Sequence, residues 1–237
     1  LVKHAETMRY RIAVLDSPQD PSIDSVRRFR TRIDSSYGAL YYPWLSLDHD
    51  VLPPSGFICG IYARHDAARG VFSAPANEPL RGATGVDATV TNAEQDVLNQ
   101  EGINVIRAFP ERGILVWGAR TTSSDAQWKY VNIRRLLIFL EHSIDKGTQW
   151  AAFEPNGDPL WANIRRTIED FLADQWRAGA LLGSTEDEAF VVRCDRTTMT
   201  QDDLDNGRLV CLVGVAPVRP AEFVIFRIGQ WTADARC

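Results

Sequence analysis

Residues 208–231 read RLVCLVGVAPVRPAEFVIFRIGQW and contain two strand-like runs, Leu209–Val215 and Glu222–Ile228. The connector Ala216-Pro217-Val218-Arg219-Pro220 carries two prolines, which make it stiff, extended and poorly suited to a tight hairpin. In the second run Phe223, Ile225 and Arg227 point to one face, and Val224, Phe226 and Ile228 to the other. A strand this apolar must find a sheet. Two placements remain open: the last strand of the chain's own sheet, or a strand carried on the proline connector to a neighbouring subunit.

The rest of the chain reads as α/β. Tyr10–Leu15 is a short buried strand, and Asp20-Pro21 supplies an N-cap and first-turn pair for a helix to about Ile33. Ile23, Val26 and Ile33 lie on its inner face, with Arg27, Arg28, Arg30 and Arg32 outside. Tyr37–Leu45 is a strand ending near Pro43, which completes a strand–helix–strand layer. A helix is expected from about Phe57 to Ala68, with Phe57, Ile58, Ile61 and Tyr62 inward. Gly70–Asn92, rich in Gly, Pro, Ala and Asn, reads as a long ordered loop, a kind of segment that is usually functional. A short helix over Ala93–Gln100 and strands over Ile103–Phe109 and Gly113–Ala119 follow.

In Gln127–Lys146, Ile133, Leu137, Leu140 and Ile144 form a helical apolar stripe, with Arg134, Arg135, Glu141, His142, Asp145 and Lys146 opposite and Gly147 placed to end the helix. Thr148–Glu154 reads as a strand. Asp158-Pro159 opens a second long helix to about Ala180, with Ile164, Ile168, Phe171, Leu172 and Trp176 inward. Ala189–Cys194 is a further strand, and Met199–Asn206 a polar turn with a short helical piece.

Composition narrows the function. The 237 residues hold one large domain or two modest ones, 45% hydrophobic and 24% charged, within the globular range. A net charge of -5 argues against nucleic acid as the main partner. Seven tryptophans favour surfaces buried against other chains. Cys59, Cys194, Cys211 and Cys237 form no CxxC pair and have no His at ligand spacing, so a reduced, cytoplasmic setting fits. The start has no signal-peptide core, and no apolar run is long enough to span a bilayer. Because residue 1 is Leu, an N-terminal portion is expected to be missing.

No phosphate-binding loop, dinucleotide fingerprint, nucleophile elbow or HExxH motif is present. Glu186, Asp187 and Glu188, and then Asp202, Asp203 and Asp205, read as solvated loop charge rather than metal ligands. His65 and Asp66 are adjacent on a helix and do not face one another. Arg165 and Arg166 read either as a solvated face paired with Glu169 and Asp170, or as a contact for an acidic partner. No catalytic residue, metal or cofactor is expected.

Five collinear stretches carry a resemblance. Tyr42-Pro43-Trp44 with PPSGFICGIYARHDAARGVFSAPAN (Pro53–Asn77), GILVWGARTTSSD (Gly113–Asp125), WKYVNIRRLL (Trp128–Leu137), QWAAFEPNGDPLW (Gln149–Trp161) and VGVAPVRPAEFVIFRIGQ (Val213–Gln230) resemble the sheath proteins of contractile phage tails. The resemblance implies an α/β (α+β) fold: a mixed central β-sheet flanked by helices, with an extended C-terminal arm strand that pairs with a neighbouring subunit. It divides the chain into an N-terminal part of the sheath core (1–125), a C-terminal sheath domain (126–216) and a C-terminal arm (217–237), with the N-terminal arm absent. The arm residues are then Pro217, Pro220, Phe223, Val224, Ile225, Phe226, Arg227, Ile228 and Trp231.

The implied partners are other sheath subunits in stacked hexameric rings, an inner tail tube, and baseplate and terminator proteins. Assembly would take place in the bacterial cytoplasm, as part of a virion tail or injection-device particle. Lys129, Arg134 and Arg135, or Arg165 and Arg166, are candidate contacts to an acidic inner tube. Gly70–Asn92 is a candidate for packing between subunits. The alternatives are a stand-alone α/β ligand-binding or enzymatic domain, which predicts a concave pocket with convergent polar groups, and a non-contractile baseplate or adaptor protein of the same fold.

Overall fold

A computed structural model describes residues 1–20 and 22–222. In chain order the elements are α1 (Val2–Met8), β1 (Ala13–Asp16), α2 (Ile23–Arg30), β2 (Gly38–Tyr42), β3 (Leu45–Leu47), β4 (Asp50–Leu52), α3 (Ser55–Arg69), β5 (Glu78–Pro79), β6 (Gly85–Val86), α4 (Asn92–Gln100), β7 (Ile103–Phe109) and β8 (Gly113–Val116). There follow α5 (Val131–Gly147), α6 (Asp158–Arg177), α7 (Glu186–Ala189), β9 (Phe190–Arg193), α8 (Gln201–Asp205) and β10 (Leu212–Val215).

The central sheet runs β1-β2-β7-β8-β5. β1, β2 and β7 are parallel, whereas β7–β8 and β8–β5 are antiparallel, so the sheet is mixed as expected. β2 is buried along its whole length, and its side chains alternate between two cores. Leu40 and Tyr42 join Val26 of α2, Leu98 of α4, Ile103 and Val105 on one face. Ala39 and Tyr41 join Ile58, Ile61 and Tyr62 of α3 with Ile106 and Val131 on the other. A third core is built from α5, α6 and the β9–β10 pair, around Leu136, Leu140, Trp161, Ile164, Ile168 and Leu172.

One buried side chain fixes the central sheet to the segment after β8. Asn104, fully buried on β7, donates through Nδ2 to Leu40 O (3.1 Å) and Arg120 O (2.7 Å), and accepts from Arg120 N at 2.6 Å. Gly118 must lack a side chain here, since a Cβ would stand 2.9 Å from Asn104 Oδ1.

Several expectations are corrected. The helix expected from Asp20-Pro21 begins at Ile23 with Ser22 as N-cap, because Asp20 Oδ1 accepts the Ser22 amide (2.9 Å) in a turn preceding the helix. Pro21 lies outside the described residues. That helix ends at Arg30 rather than Ile33, as the amides of Arg32 and Ile33 bond back three residues. Thr148–Glu154 is not a strand. Gln149–Ala151 forms a 3₁₀ turn, and the amides of Thr148, Ala151, Ala152 and Glu154 are all taken by local carbonyls, leaving nothing for a sheet ladder. Of Leu209–Val215 only Leu212–Val215 is strand; Leu209, Val210 and Cys211 pack on the third core instead. The Gly70–Asn92 loop is ordered from within: it gives β5 to the central sheet and β6 to a small β4-β3-β6 sheet, and buries Leu80 and Val90.

Candidate inter-subunit surface

β10 pairs antiparallel with β9 in a two-stranded sheet, with Leu212 opposite Arg193 and Val215 opposite Phe190. The other edge of each strand pairs with no described strand. Val191, Leu212 and Val213 are 49%, 55% and 39% exposed, whereas Val192 faces the third core. A two-stranded ribbon with open edges and exposed apolar side chains is a template for strand addition.

Beyond β10 the chain is zipped down before it leaves. The Ala216 amide donates to Ala189 O (2.9 Å), Leu182 N to Ala216 O (2.7 Å) and Val218 N to Ala180 O (3.1 Å), with Pro217 bridged to Leu181. The first part of the proline connector is therefore held along residues 180–182. Pro220, Ala221 and Glu222 then form one wall of a cleft of about 380 Å³ against α4 and the Trp117–Ala119 segment.

Glu222 is clamped there. Arg120 donates a two-pronged pair, Nε to Oε1 at 2.6 Å and Nη2 to Oε2 at 2.5 Å; Asn99 Nδ2 adds 3.1 Å, Tyr130 Oη 3.2 Å and Lys129 Nζ 3.4 Å. Arg120 is itself buried, and its Nη1 is held by Asn99 O (2.8 Å). Burial alone would raise the Glu222 carboxyl. The hydrogen bonds from Arg120 and Asn99, with the charges of Arg120 and Lys129, outweigh it and hold the group at about 2.

The expected site residues fall into three groups. Pro217 and Pro220 sit at the root just described. Phe223, Val224, Ile225, Phe226, Arg227, Ile228 and Trp231 lie outside the described residues. Of the basic candidates, Arg165 and Arg166 are exposed on α6, with Arg165 3.7 Å from Glu169.

Arg134 and Arg135 do not lie on an exposed face, which corrects the sidedness expected for that helix. Arg134 is 5% exposed, stacked 3.5 Å from the Trp128 ring and 4.3 Å from Tyr37, and donates to Ser36 Oγ (2.7 Å). The 3₁₀ turn Ala126–Trp128 folds the indole over the helix start and encloses it. Arg135 forks onto Asp66 and lies 4.3 Å over the Tyr62 ring. Lys129 is drawn to Glu222.

The residues that the sequence reading missed are Glu222, Arg120 and Asn99; the only signal was a single carboxylate at the head of an apolar run.

The acidic groups remain surface charge: Asp202 and Asp203 pair with Arg208, and Glu186 with Arg177. Among the described residues no three His, Cys, Asp or Glu side chains converge as a metal set, and no helix is long and apolar enough to cross a membrane. His65, buried on α3, turns away from Asp66 and bonds Glu78 Oε1 through Nδ1 (2.9 Å).

Comparison with known proteins matches this architecture along its length. Residues 1–122 match the phage tail sheath protein central domain, and residues 123–230 the phage tail sheath C-terminal domain. A putative prophage major tail sheath protein of Pseudomonas aeruginosa (strain UCBPP-PA14) is 25% identical over 189 residues, 77% of this chain and 47% of that protein. A chain in the cryo-EM structure of the anti-feeding prophage baseplate superposes with a TM-score of 0.89 at 39% identity, covering 98% of this chain and 63% of that one. A chain of the contracted sheath complex of PVC, an extracellular contractile injection system, gives 0.86 at 38%, covering 94% and 64%. The chain thus spans about half to two thirds of the length of these relatives. With both halves matched in order, the chain belongs to the phage tail sheath family, whose members are structural subunits of tails and injection systems and not enzymes.

Proposed function

We propose that this chain is the polymerising region of a contractile sheath subunit, stacked with its copies in hexameric rings around an inner tube that contraction drives through a target envelope. The observation that carries the reading is the β9–β10 ribbon, whose edges pair with no further strand among the described residues and which exposes Val191 and Leu212, with the chain after it fixed at Glu222. An arm strand from a neighbour would complete such a ribbon through main-chain hydrogen bonds, while its alternate side chains cover Val191 and Leu212. Residues 217–237 are the arm in this reading, and 1–125 and 126–216 are the two parts of the subunit body that carries it. Head-to-tail contacts that do not close on themselves generate a helical tube, and contraction is a change between two packings of the same bodies.

The partners in this reading are sheath copies, the inner tube, and the baseplate and terminator proteins at the two ends; likeness to a chain of a baseplate structure supports the baseplate contact. Arg165 and Arg166, exposed on α6, are the remaining candidates for a salt-sensitive contact to an acidic tube. Assembly would occur in the bacterial cytoplasm.

Negative-stain electron microscopy and sedimentation of the chain beside a version ending at Ala216 test the reading. Higher-order assemblies from the full chain that vanish on truncation are expected. Monomers from both, at concentrations where sheath relatives assemble, would overturn the assignment of residues 217–237 as an exchanged strand.

A further inference from the structure

We propose that Cys194 and Cys211 form a redox-switchable disulfide that staples β9 to β10. The pairing register ends with Arg193 opposite Leu212, and continuing it by one residue sets Cys194 opposite Cys211. Both side chains pack on the third core, Cys194 within it and Cys211 against it. Directly opposed residues of an antiparallel pair have Cα atoms about 4.5–5.5 Å apart, inside the roughly 4.4–6.8 Å span that a disulfide accepts. The intervening segment is gathered at the same point: Thr198 Oγ1 donates to Val210 O (2.7 Å), and Arg208 pairs with Asp202 and Asp203. Continuing the register puts both side chains on the core-facing side of the ribbon, the side of Val192.

The two sulfurs are not equivalent. Cys194 is buried beneath the ribbon and Cys211 is half-buried. Burial raises both thiols, and for Cys211 the neighbouring Cys194 adds to it, taking that group to about 12. At neutral pH the pair thus rests as two thiols and reacts slowly with weak oxidants.

The co-reactant is a small-molecule disulfide. Cys211 loses its proton and attacks one sulfur of that disulfide, breaking its S–S bond and releasing one small thiol. Cys194 then loses its proton, attacks Cys211 Sγ and expels the second small thiol. Two protein thiols are oxidised, one small disulfide is reduced to two thiols, and the β9–β10 pair is closed into a ring containing residues 195–210. The chemistry needs only this chain's own ribbon, so it stands or falls separately from the arm-exchange reading.

The test is peptide mapping of the wild-type chain after exposure to oxidised glutathione, with the remaining thiols blocked by N-ethylmaleimide. Trypsin cuts after Arg193, Arg196, Arg208 and Arg227, so the expected product is a cross-linked pair of peptides, 194–196 joined to 209–227, that dithiothreitol separates. Closure should raise the midpoint of thermal unfolding by about 5–10 °C, reversed by reductant and absent in Cys211→Ser. Alkylation of both cysteines after prolonged oxidation would overturn the proposal. So would recovery of either only as a glutathione adduct or joined to Cys59 or Cys237. The mapping uses the unmutated protein, so a poorly folding Cys211→Ser variant leaves the test intact.

Discussion

Substituting Glu222 by Gln removes the charge from the clamp and keeps the shape of the side chain. A carboxyl held at about 2, against an ordinary 4.5, corresponds to about 3 kcal/mol of stabilisation at pH 7. Solvent still reaches the side chain, which is 18% exposed, and screening brings the expected effect to about 2 kcal/mol. The folded-state value lies below the ordinary one. The stabilisation is therefore complete above about pH 4.5 and fades as pH falls towards 2. Urea denaturation of the wild type and Glu222→Gln from pH 7 to pH 3 reads this directly, because titration of every other carboxylate cancels in the difference. The gap should be about 2 kcal/mol at pH 7 and shrink steadily below pH 4.5.

Arg120→Met in the same cycle should show coupling of at least about 1.5 kcal/mol, as a buried guanidinium that loses its carboxylate is left uncompensated. Hydrogen exchange at the Val218 amide, bonded to Ala180 O, should quicken in Glu222→Gln as the root loosens. A gap that is flat with pH, or coupling below about 0.5 kcal/mol, would refute the clamp.

Four further outcomes follow from the structure. Asn104→Ala should cost about 3 kcal/mol in urea denaturation, since it strips partners from Leu40 O, Arg120 O and Arg120 N inside the sheet; Gly118→Ala should cost about 1–3 kcal/mol through the 2.9 Å approach to Asn104 Oδ1. Tyr41→Phe and Tyr62→Phe should each cost about 1–2 kcal/mol, while the double variant costs clearly less than their sum, because the buried hydroxyls bond each other at 2.7 Å. Arg165→Glu with Arg166→Glu should leave the unfolding midpoint almost unchanged, within about 0.5 kcal/mol, so that any loss of tube binding by that variant reads the surface alone.

The parts of this chain that sequence reading recovered are those that local chemistry decides. Ile103–Phe109 has the expected bounds because the apolar run is closed by turns on both sides, and the Asn92–Gln100 helix is fixed by a capping box between Thr91 and Glu94. Arg134 misled for the opposite reason. Helical spacing reports which side of a helix is apolar, not what another segment lays over the polar side. Here Trp128 from the preceding turn and Tyr37, 97 residues away, enclose the guanidinium. Thr148–Glu154 misled because Trp150 and Phe153 look like strand residues, yet nothing in that stretch states whether a neighbouring strand is available. The Arg120–Glu222 clamp joins residues 102 apart, and no periodicity encodes such a pairing.

The position of that clamp bears on how a sheath arm works. β10 belongs to the third core, but the chain after it does not leave from there. It runs along residues 180–182 and is fixed to Arg120, in the segment after β8, and to Asn99 of α4, which covers the central sheet. Arg120 is held in turn through its own backbone by Asn104, which reaches Leu40 on β2. Pull on residues beyond 222 is therefore passed through one ion pair and one buried asparagine into the central sheet, and it bypasses the two-stranded β9–β10 ribbon. In the proposed arm exchange, a ribbon that receives a neighbour's strand is best left free of the load carried by its own. Rooting the outgoing segment on the central-sheet side would separate donor from acceptor within one subunit. Arms exchanged between such subunits would keep their pairing while the bodies rotate, provided that Glu222 stays ionised and in place.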